Sequence, residues 1–467
     1  MTPYSKSNSD QSGSVEPFSV LERALESTPQ DPSLHRAMAD AKLLHGDELA
    51  ALAHLIAAQT LEAYATGSPA ASAIELCNVG TGYFMKGDNE VAERWYRLVL
   101  AIDPSLAIAY QNLAAIYSSK GLIAEAESCR ERAYQIQRVF IETAGTPLHR
   151  VLILCVGSTS GNVPFETLLP TKTCSRIKYA IDYASDEEDG KLPPFDLVFN
   201  AIGEPDVATG LIDRLERFAK RCGRPLLNRP SAVTRTQRHR LAELLGALDD
   251  VMVAPCIRFK ILPFSRAVMT ECLASDSVEF PVLARPAATH GGEGLVRFEN
   301  IEALENWLSV VHGIYYLTTF FDYRSADGYY RKYRIIFIDR EPFPYHLAIS
   351  SHWMVHYVSS DMEANAWKLD EERFFLQEPK MTLGSRAMAA LAAIGRRLDL
   401  DYGGIDFTLL PDGRVFVFEA NAAMLVHRER DNGVLAYKNR HVERIVDSFE
   451  QMLEHRRVQL ASPKQQL

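Results

Sequence analysis

Asp406, Glu419 and Asn421 are three oxygen-bearing side chains that the sequence can bring together with no His or Cys among them. The stretch from Tyr402 to Asn421 reads as two apolar strands joined at Asp412-Gly413, and Asp-Gly between apolar runs is a strong hairpin signal. Whether the loop comprises two residues (Asp412, Gly413) or four (Pro411 to Arg414), the pairing sets Asp406 opposite Glu419. Like charges so placed repel across a ladder, and Ile405, Phe407, Leu409, Val415, Val417 and Phe418 are too apolar for a solvated rim. Positive charge is therefore expected between the two carboxylates. Asn421, two residues past Glu419 on the same face, completes an all-oxygen set of the kind that suits a hard cation; Mg²⁺ held by one or two carboxylates and substrate phosphates is the usual arrangement.

A second stretch, Phe280 to Val296, carries Arg285 on an apolar strand and then His290, Gly291, Gly292, Glu293 and Gly294 before a second strand. Glycine amides can close over phosphates because no Cβ blocks the approach. Arg285 stays charged at any accessible pH and can meet phosphate through two nitrogens. The run Tyr330 to Asp339 is a strand with Ile335 and Phe337 on one face and Arg334 and Ile336 on the other.

These stretches, in this order, resemble the metal- and nucleotide-binding end of the ATP-grasp superfamily, over about residues 150 to 455. The resemblance implies Mg²⁺ on Asp406, Glu419 and Asn421 beneath the phosphates of ATP, with Arg285, His290, Gly291, Gly292 and Gly294 forming the phosphate loop. By position it implies Arg238 as a nucleotide contact, Thr319 and Phe320 as the hinge beside adenine, and Arg334, preferred over Arg331, as the catalytic cation facing the transferring phosphoryl group. Two departures stand out: Arg285 and Arg238 replace the usual lysines, and Ala422-Ala423-Met424 follows Asn421 where many members have Pro-Gly.

The elements that must position these residues follow from periodicity. Residues 1–17 are polar and Ser-rich and read as disordered. From Phe18 the pattern is helical and repetitive: Leu76, Val79, Gly80, Tyr83, Gly87 and Ala92 recur 34 residues later as Tyr110, Leu113, Ala114, Tyr117, Gly121 and Ala126. That period resembles the tetratricopeptide (TPR) repeat, with Pro104 at a repeat end and an earlier copy at Pro32 to Ala63. Turn residues at Thr143 to Pro147 mark a boundary. Beyond it, strands at Val151 to Val156 and Phe195 to Asn200 alternate with helices such as Asp213 to Cys222, the signature of an α/β layer with a parallel sheet. Ligands in such sheets bind beyond the carboxyl ends of the strands, which nominates the Ser158 to Asn162 loop and Glu204. A helix is expected over Thr234 to Leu245.

The expected fold class is thus multidomain α+β: a disordered segment (1–17), an all-α TPR-like solenoid (18–143), an α/β pre-ATP-grasp domain (148–250) and an ATP-grasp domain (251–460). The chain has 467 residues, too many for one core. Its net charge of −10 and lack of long basic runs exclude nucleic acid as the default partner. Seven scattered cysteines with no Cys-x-x-Cys imply neither disulfides nor zinc, and the absence of an 18-residue apolar run argues against a membrane partner, so a cytoplasmic protein is expected. His346, His352 and His356, spaced six and four apart without the acid of a zinc motif, are expected with Tyr357 to border an acceptor pocket.

The resemblance implies an ATP- and Mg²⁺-dependent ligase joining a small carboxylate to an amine, such as an amino acid or peptide, through an acyl phosphate. The alternatives are a kinase of the same fold, and a nucleotide-sensing or peptide-modifying protein whose repeats recruit a peptide or protein.

Overall fold

Helix caps and turn glycines punctuate the first 137 residues. The computed structural model describes residues 17–67, 70–157, 161–260, 266–289 and 292–461, and the chain divides into two units between Gln137 and Arg138. The first unit contains α1 (Pro17–Ser27), α2 (Pro32–Leu44), α3 (Glu48–Ala65), α4 (Ala70–Met85), α5 (Asn89–Ile102), α6 (Ala107–Ser119) and α7 (Ile123–Ile136). Asp31, Asp47 and Asp88 cap α2, α3 and α5, each side chain accepting an otherwise orphaned backbone N–H. Gly46, Gly87 and Gly121 turn the chain after α2, α4 and α6 with φ of +78°, +83° and +73°, a conformation that favours glycine. The helices pack as the successive hairpins α2/α3, α4/α5 and α6/α7. At Gly80 an added Cβ would stand 3.0 Å from the buried Tyr96 ring, so the absence of a side chain sets how closely α4 and α5 approach.

The boundary lies earlier than the sequence reading put it. Val139 to Glu142 do not continue the helices but form β1 (Val139–Glu142), an antiparallel edge strand of the second unit. Glu142 is drawn there by Arg176 and by Lys178, whose Nζ lies 2.6 Å away. At the other terminus, residues 1–16 lie outside the described residues, and Pro17 opens α1.

β2 (His149–Cys155), β3 (Cys174–Ala180), β4 (Leu197–Asn200) and β5 (Leu226–Leu227) run parallel, in the sheet order β1-β3-β2-β4-β5. Leu152, Leu154 and Val198 pack on one face and Val151, Ile153, Leu197 and Phe199 on the other, so both faces are covered and these strands read as nearly continuous apolar runs. At the end of β5, Asn228 adopts φ +55° and is fully buried. Its side-chain amide donates to the Tyr402 carbonyl (2.8 Å) and accepts from the Tyr402 N–H (2.9 Å), tying this sheet to the start of the hairpin.

β6 (Val251–Val253) leaves for a third sheet, while β7 (Cys256–Lys260), β8 (Val282–Pro286), β9 (Val296–Phe298) and β10 (Ile314–Thr319) form an antiparallel sheet ordered β7-β10-β8-β9. The third sheet adds β11 (Tyr330–Ile338), β12 (Glu341–Ser350), β13 (Tyr402–Leu409) and β14 (Val415–Asn421), in the order β12-β11-β13-β14-β6. Ile335, Phe337, Ile405 and Phe407 pack against Leu391 and Ile394 of the helix Pro379–Leu398. Ile336, Ile338 and Tyr402 pack against Phe449 of the helix Asn439–Ala461 on the opposite face. Fully burying each such side chain contributes roughly 1.5–3 kcal/mol. Arg334 and Lys332 continue that second face beyond Ile336, so the apolar core gives way to charge along one strand.

Candidate functional site

Alternation along the strands and register across them place the charged residues in one row. His346 on β12 faces Arg334 on β11, Arg334 faces Asp406 on β13, and Asp406 faces Glu419 on β14. The expected opposition of Asp406 and Glu419 holds, but the turn does not produce it alone. Gly413 (φ +84°) makes a three-residue loop closed by Leu410 and Arg414, which pairs Leu409 with Val415 and Phe407 with Val417, one residue away from the expected register. A bulge at Phe418 then restores it. An extra residue in one strand re-aims the side chains beyond it.

Side-chain cations neutralise the two carboxylates. Arg334 meets Asp406 through Nε–Oδ1 (2.6 Å) and Nη2–Oδ2 (2.9 Å), and Lys332 Nζ stands 3.2 Å from Oδ2. Arg238 hydrogen-bonds Glu419, with Arg285 at 3.7 Å. Burial alone would raise Asp406, but the Arg334 and Lys332 charges outweigh it and hold the carboxyl far below the usual range. Burial likewise works against Arg238 and Arg285 at Glu419, and the cations prevail, leaving it near 2. Arg285 falls to about 10 because it is buried and faces Arg238. Glu204, nominated from the first sheet, rises to about 7 because it is buried, with Arg238 opposing the shift. The row thus gathers Arg238, Arg285, Lys332 and Arg334 about Asp406 and Glu419, an excess of positive charge poised for a polyanion.

These residues line a cavity of about 980 Å³, at the upper end of the ~300–1,000 Å³ typical of ligand clefts. Val253, Leu283, Phe321, Phe416 and Phe418 give it an apolar wall, and Tyr345, Tyr357 and Lys438 cluster in its lining beside His346. Of the residues singled out from sequence, Arg238, Arg285, Gly292, Thr319, Phe320, Arg334, Asp406 and Glu419 line it. His290 and Gly291 lie outside the described residues, as do Ser158 to Ser160. Gly292 has φ +76°, and an added Cβ would collide with the His356 ring. Gly294 (φ +66°) leaves room for Pro286, whose Cγ would be 2.9 Å from a Cβ there.

Several local expectations change. The helix expected over Thr234 to Leu245 is broken: it runs Pro230–Thr234, becomes extended at Gln237 (φ −53°, ψ 136°) and resumes as a short turn at Arg238–Arg240 and a helix at Leu241–Leu245. The Gln237 side chain donates to Asp206 at 3.0 Å, anchoring the break that delivers Arg238 to Glu419. At the expected hinge, the Thr319 N–H donates to Pro255 and the Phe320 N–H to Pro281, so neither is available to a base unless the fold releases it. Asn421 Oδ1 accepts the Ala423 N–H at 2.9 Å, which shapes the loop after the hairpin. Arg331 pairs with Asp327 and Glu371, away from Asp406. Of the three histidines, His346 and His356 line the cavity, and His352 is exposed outside its lining.

Sequence reading missed Lys332, although it lies two residues before Arg334 on an alternating strand and shares its face. It also missed Lys438, which is 2% exposed. Lys438 Nζ stands 3.3 Å from Glu429 and 4.2 Å from the centre of the Tyr357 ring. Nothing local distinguishes it from other charged residues near the start of an amphipathic helix.

The donor set fits magnesium in its chemistry: Asp406, Glu419 and Asn421 offer oxygen alone. Both oxygens of Asp406 already carry cations, however, and Oε2 of Glu419 is shared by two arginines. Such surroundings repel a bare divalent ion and accept one that arrives on an anionic polyphosphate.

No family model matches the sequence, and no curated protein matches it. Solved structures similar to this chain include a D-alanine–D-alanine ligase from Bacillus anthracis complexed with ATP, at 12% identity and TM-score 0.40 over 67% of this chain and 99% of that one. A RimK-domain ATP-grasp protein from Sphaerobacter thermophilus is similar at 14% identity and TM-score 0.36 over 65% and 98%. The ATP-grasp ligase PsnB complexed with a minimal precursor, Mg and ADP is similar at 12% identity and TM-score 0.36 over 65% and 98%.

Proposed function

We propose that the chain is an ATP- and Mg²⁺-dependent ligase that joins a carboxylate to an amine through an acyl phosphate. The observation that carries this reading is the charged cluster built on the cross-strand row: two carboxylates and four cations at a cavity that also has an apolar wall. Phosphoryl transfer asks the protein mainly for positioning and charge neutralisation, and the row supplies both.

In this reading the apolar wall takes the adenine, and Arg238, Arg285 and the glycine loop beginning at His290 take the phosphates. Arg334 and Lys332 face the transferring group, where a fixed charge in a site shielded from water is worth far more than in bulk solvent. Magnesium bound by Asp406 and Glu419, with Asn421 beside them, would neutralise phosphate oxygens. A substrate carboxylate oxygen attacks the γ-phosphorus and ADP leaves. The amine nitrogen then attacks the acyl carbon, forming C–N as the C–O bond to phosphate breaks. The helical unit, in its TPR-like reading, offers a surface for a peptide or protein segment.

Mass spectrometry of products tests this. The protein is incubated with ATP, Mg²⁺ and a pool of amino acids and short peptides, beside an Asp406→Asn/Glu419→Gln control. A mass equal to two components minus water, with ADP released, is expected and should be absent from the control. A gain of one phosphate alone would instead identify a kinase, and ATP binding without any product a sensor.

A further inference from the structure

His346 is 8% exposed, lines the cavity and is the cross-strand neighbour of Arg334. Its ring lies between Tyr345 and Tyr357, with centroids 5.3 and 5.1 Å away, and it makes no hydrogen bond to another described residue. A buried imidazole normally finds a partner, and this one, with an orientation fixed by two aromatic rings, opens on the cavity instead. The charged and titratable groups around it are Arg334 and Lys332 on β11, Asp406 on β13, Lys438, and the two tyrosines.

Resting on the ligase reading, we propose that His346 accepts the proton lost by the attacking amine. As the nitrogen bonds to the acyl carbon and the C–O bond to phosphate breaks, the N–H proton passes to the open ring nitrogen, and phosphate departs with its bonding electrons. Arg334, which would hold the acyl phosphate, is next in the row, so base and electrophile are placed by the same register. Burial, then the charges of Arg334 and Lys438, keep the ring neutral in the empty site. The arriving phosphoryl group offsets those cations and raises the ring's basicity when it is needed.

Two measurements test this. Diethyl pyrocarbonate acylates neutral, accessible imidazoles; at pH 7 the intact protein should be labelled at His346, with His346→Gln as the control for the peptide. An unlabelled His346 overturns the proposal. Next, amide formation from the amino-acid pool is compared with hydroxamate formation from hydroxylamine, a weakly basic nucleophile whose nitrogen, once bonded to the acyl carbon, is acidic enough to lose its proton to water without a protein base. His346→Gln should lower the ratio of amide to hydroxamate by ~100-fold, the scale of general-base catalysis. An unchanged ratio overturns the role of His346 while leaving the ligase reading intact. A wild-type protein that releases no ADP and forms no hydroxamate overturns both.

Discussion

Arg334 and Asp406 face each other across adjacent antiparallel strands and are joined by two near-parallel hydrogen bonds, 2.6 and 2.9 Å long. The pair is the hinge of the site's electrostatics, because Lys332 shares the same carboxylate at 3.2 Å. Either cation alone can compensate Asp406, whose side chain is 3% exposed. Arg334→Met and Lys332→Met should therefore each cost the second unit modest stability. The double variant should cost about 3–5 kcal/mol, the scale of an uncompensated buried charge, and exceed the sum of the singles. Urea unfolding in a double-mutant cycle measures this; strict additivity would show that the two cations do not share one partner.

Magnesium binding should depend on nucleotide. Arg238, Arg285, Lys332 and Arg334 already surround the two carboxylates, so calorimetry should detect no Mg²⁺ binding to the empty protein at millimolar concentration and clear binding once ADP is present. Tight binding of Mg²⁺ alone would contradict this charge balance.

Gly203 abuts the loop that follows Asn421. A Cβ there would lie 2.7 Å from Ala422 C and Ala423 N, both backbone atoms with little freedom to yield. Gly203→Ala should destabilise the second unit by ~1–3 kcal/mol, as overpacking does. It should also weaken nucleotide binding by displacing the end of β14. A thermal melt and an ADP titration read the two effects; a variant that matches the parent in both would show the loop to be adaptable.

The first unit should weaken in acid. His54 is lowered from 6.5 to about 3 by burial and by His35, whose Nδ1 lies 2.9 Å from its own; Lys42 and Arg94 act in the same direction and Asp47 against it. The unfolded chain therefore binds this proton first. The stability that depends on a neutral ring is complete above pH 6.5 and falls by about 1.4 kcal/mol per pH unit below it, down to about pH 3. Urea midpoints followed by fluorescence of Trp95, whose ring contacts both histidines, should fall between pH 6.5 and 5. His54→Gln should flatten most of that slope.

How much could be read beforehand depended on the reach of the rule applied. The 34-residue recurrence placed Gly87 and Gly121 at turns because a left-handed turn is decided by a few adjacent residues. Apolar alternation set Ile335 and Phe337 against Ile336 on opposite faces for the same reason. The Thr234 to Leu245 helix failed where a local pattern met a distant partner: Asp206 holds Gln237 extended. Distant partners also hold the backbone at Thr319 and Phe320, whose amides donate to Pro255 and Pro281.

The sequence by itself determined the hairpin and its apolar alternation, because turn chemistry and a two-residue period act between near neighbours; the opposition of Asp406 to Glu419 also needed the bulge at Phe418. Only the tertiary structure decided what neutralises that opposition. Arg334 reaches Asp406 from 72 residues away and Arg238 reaches Glu419 from 181. Coulomb attraction selects among whichever charges the packed sheets bring close, and no spacing rule along the chain encodes that choice.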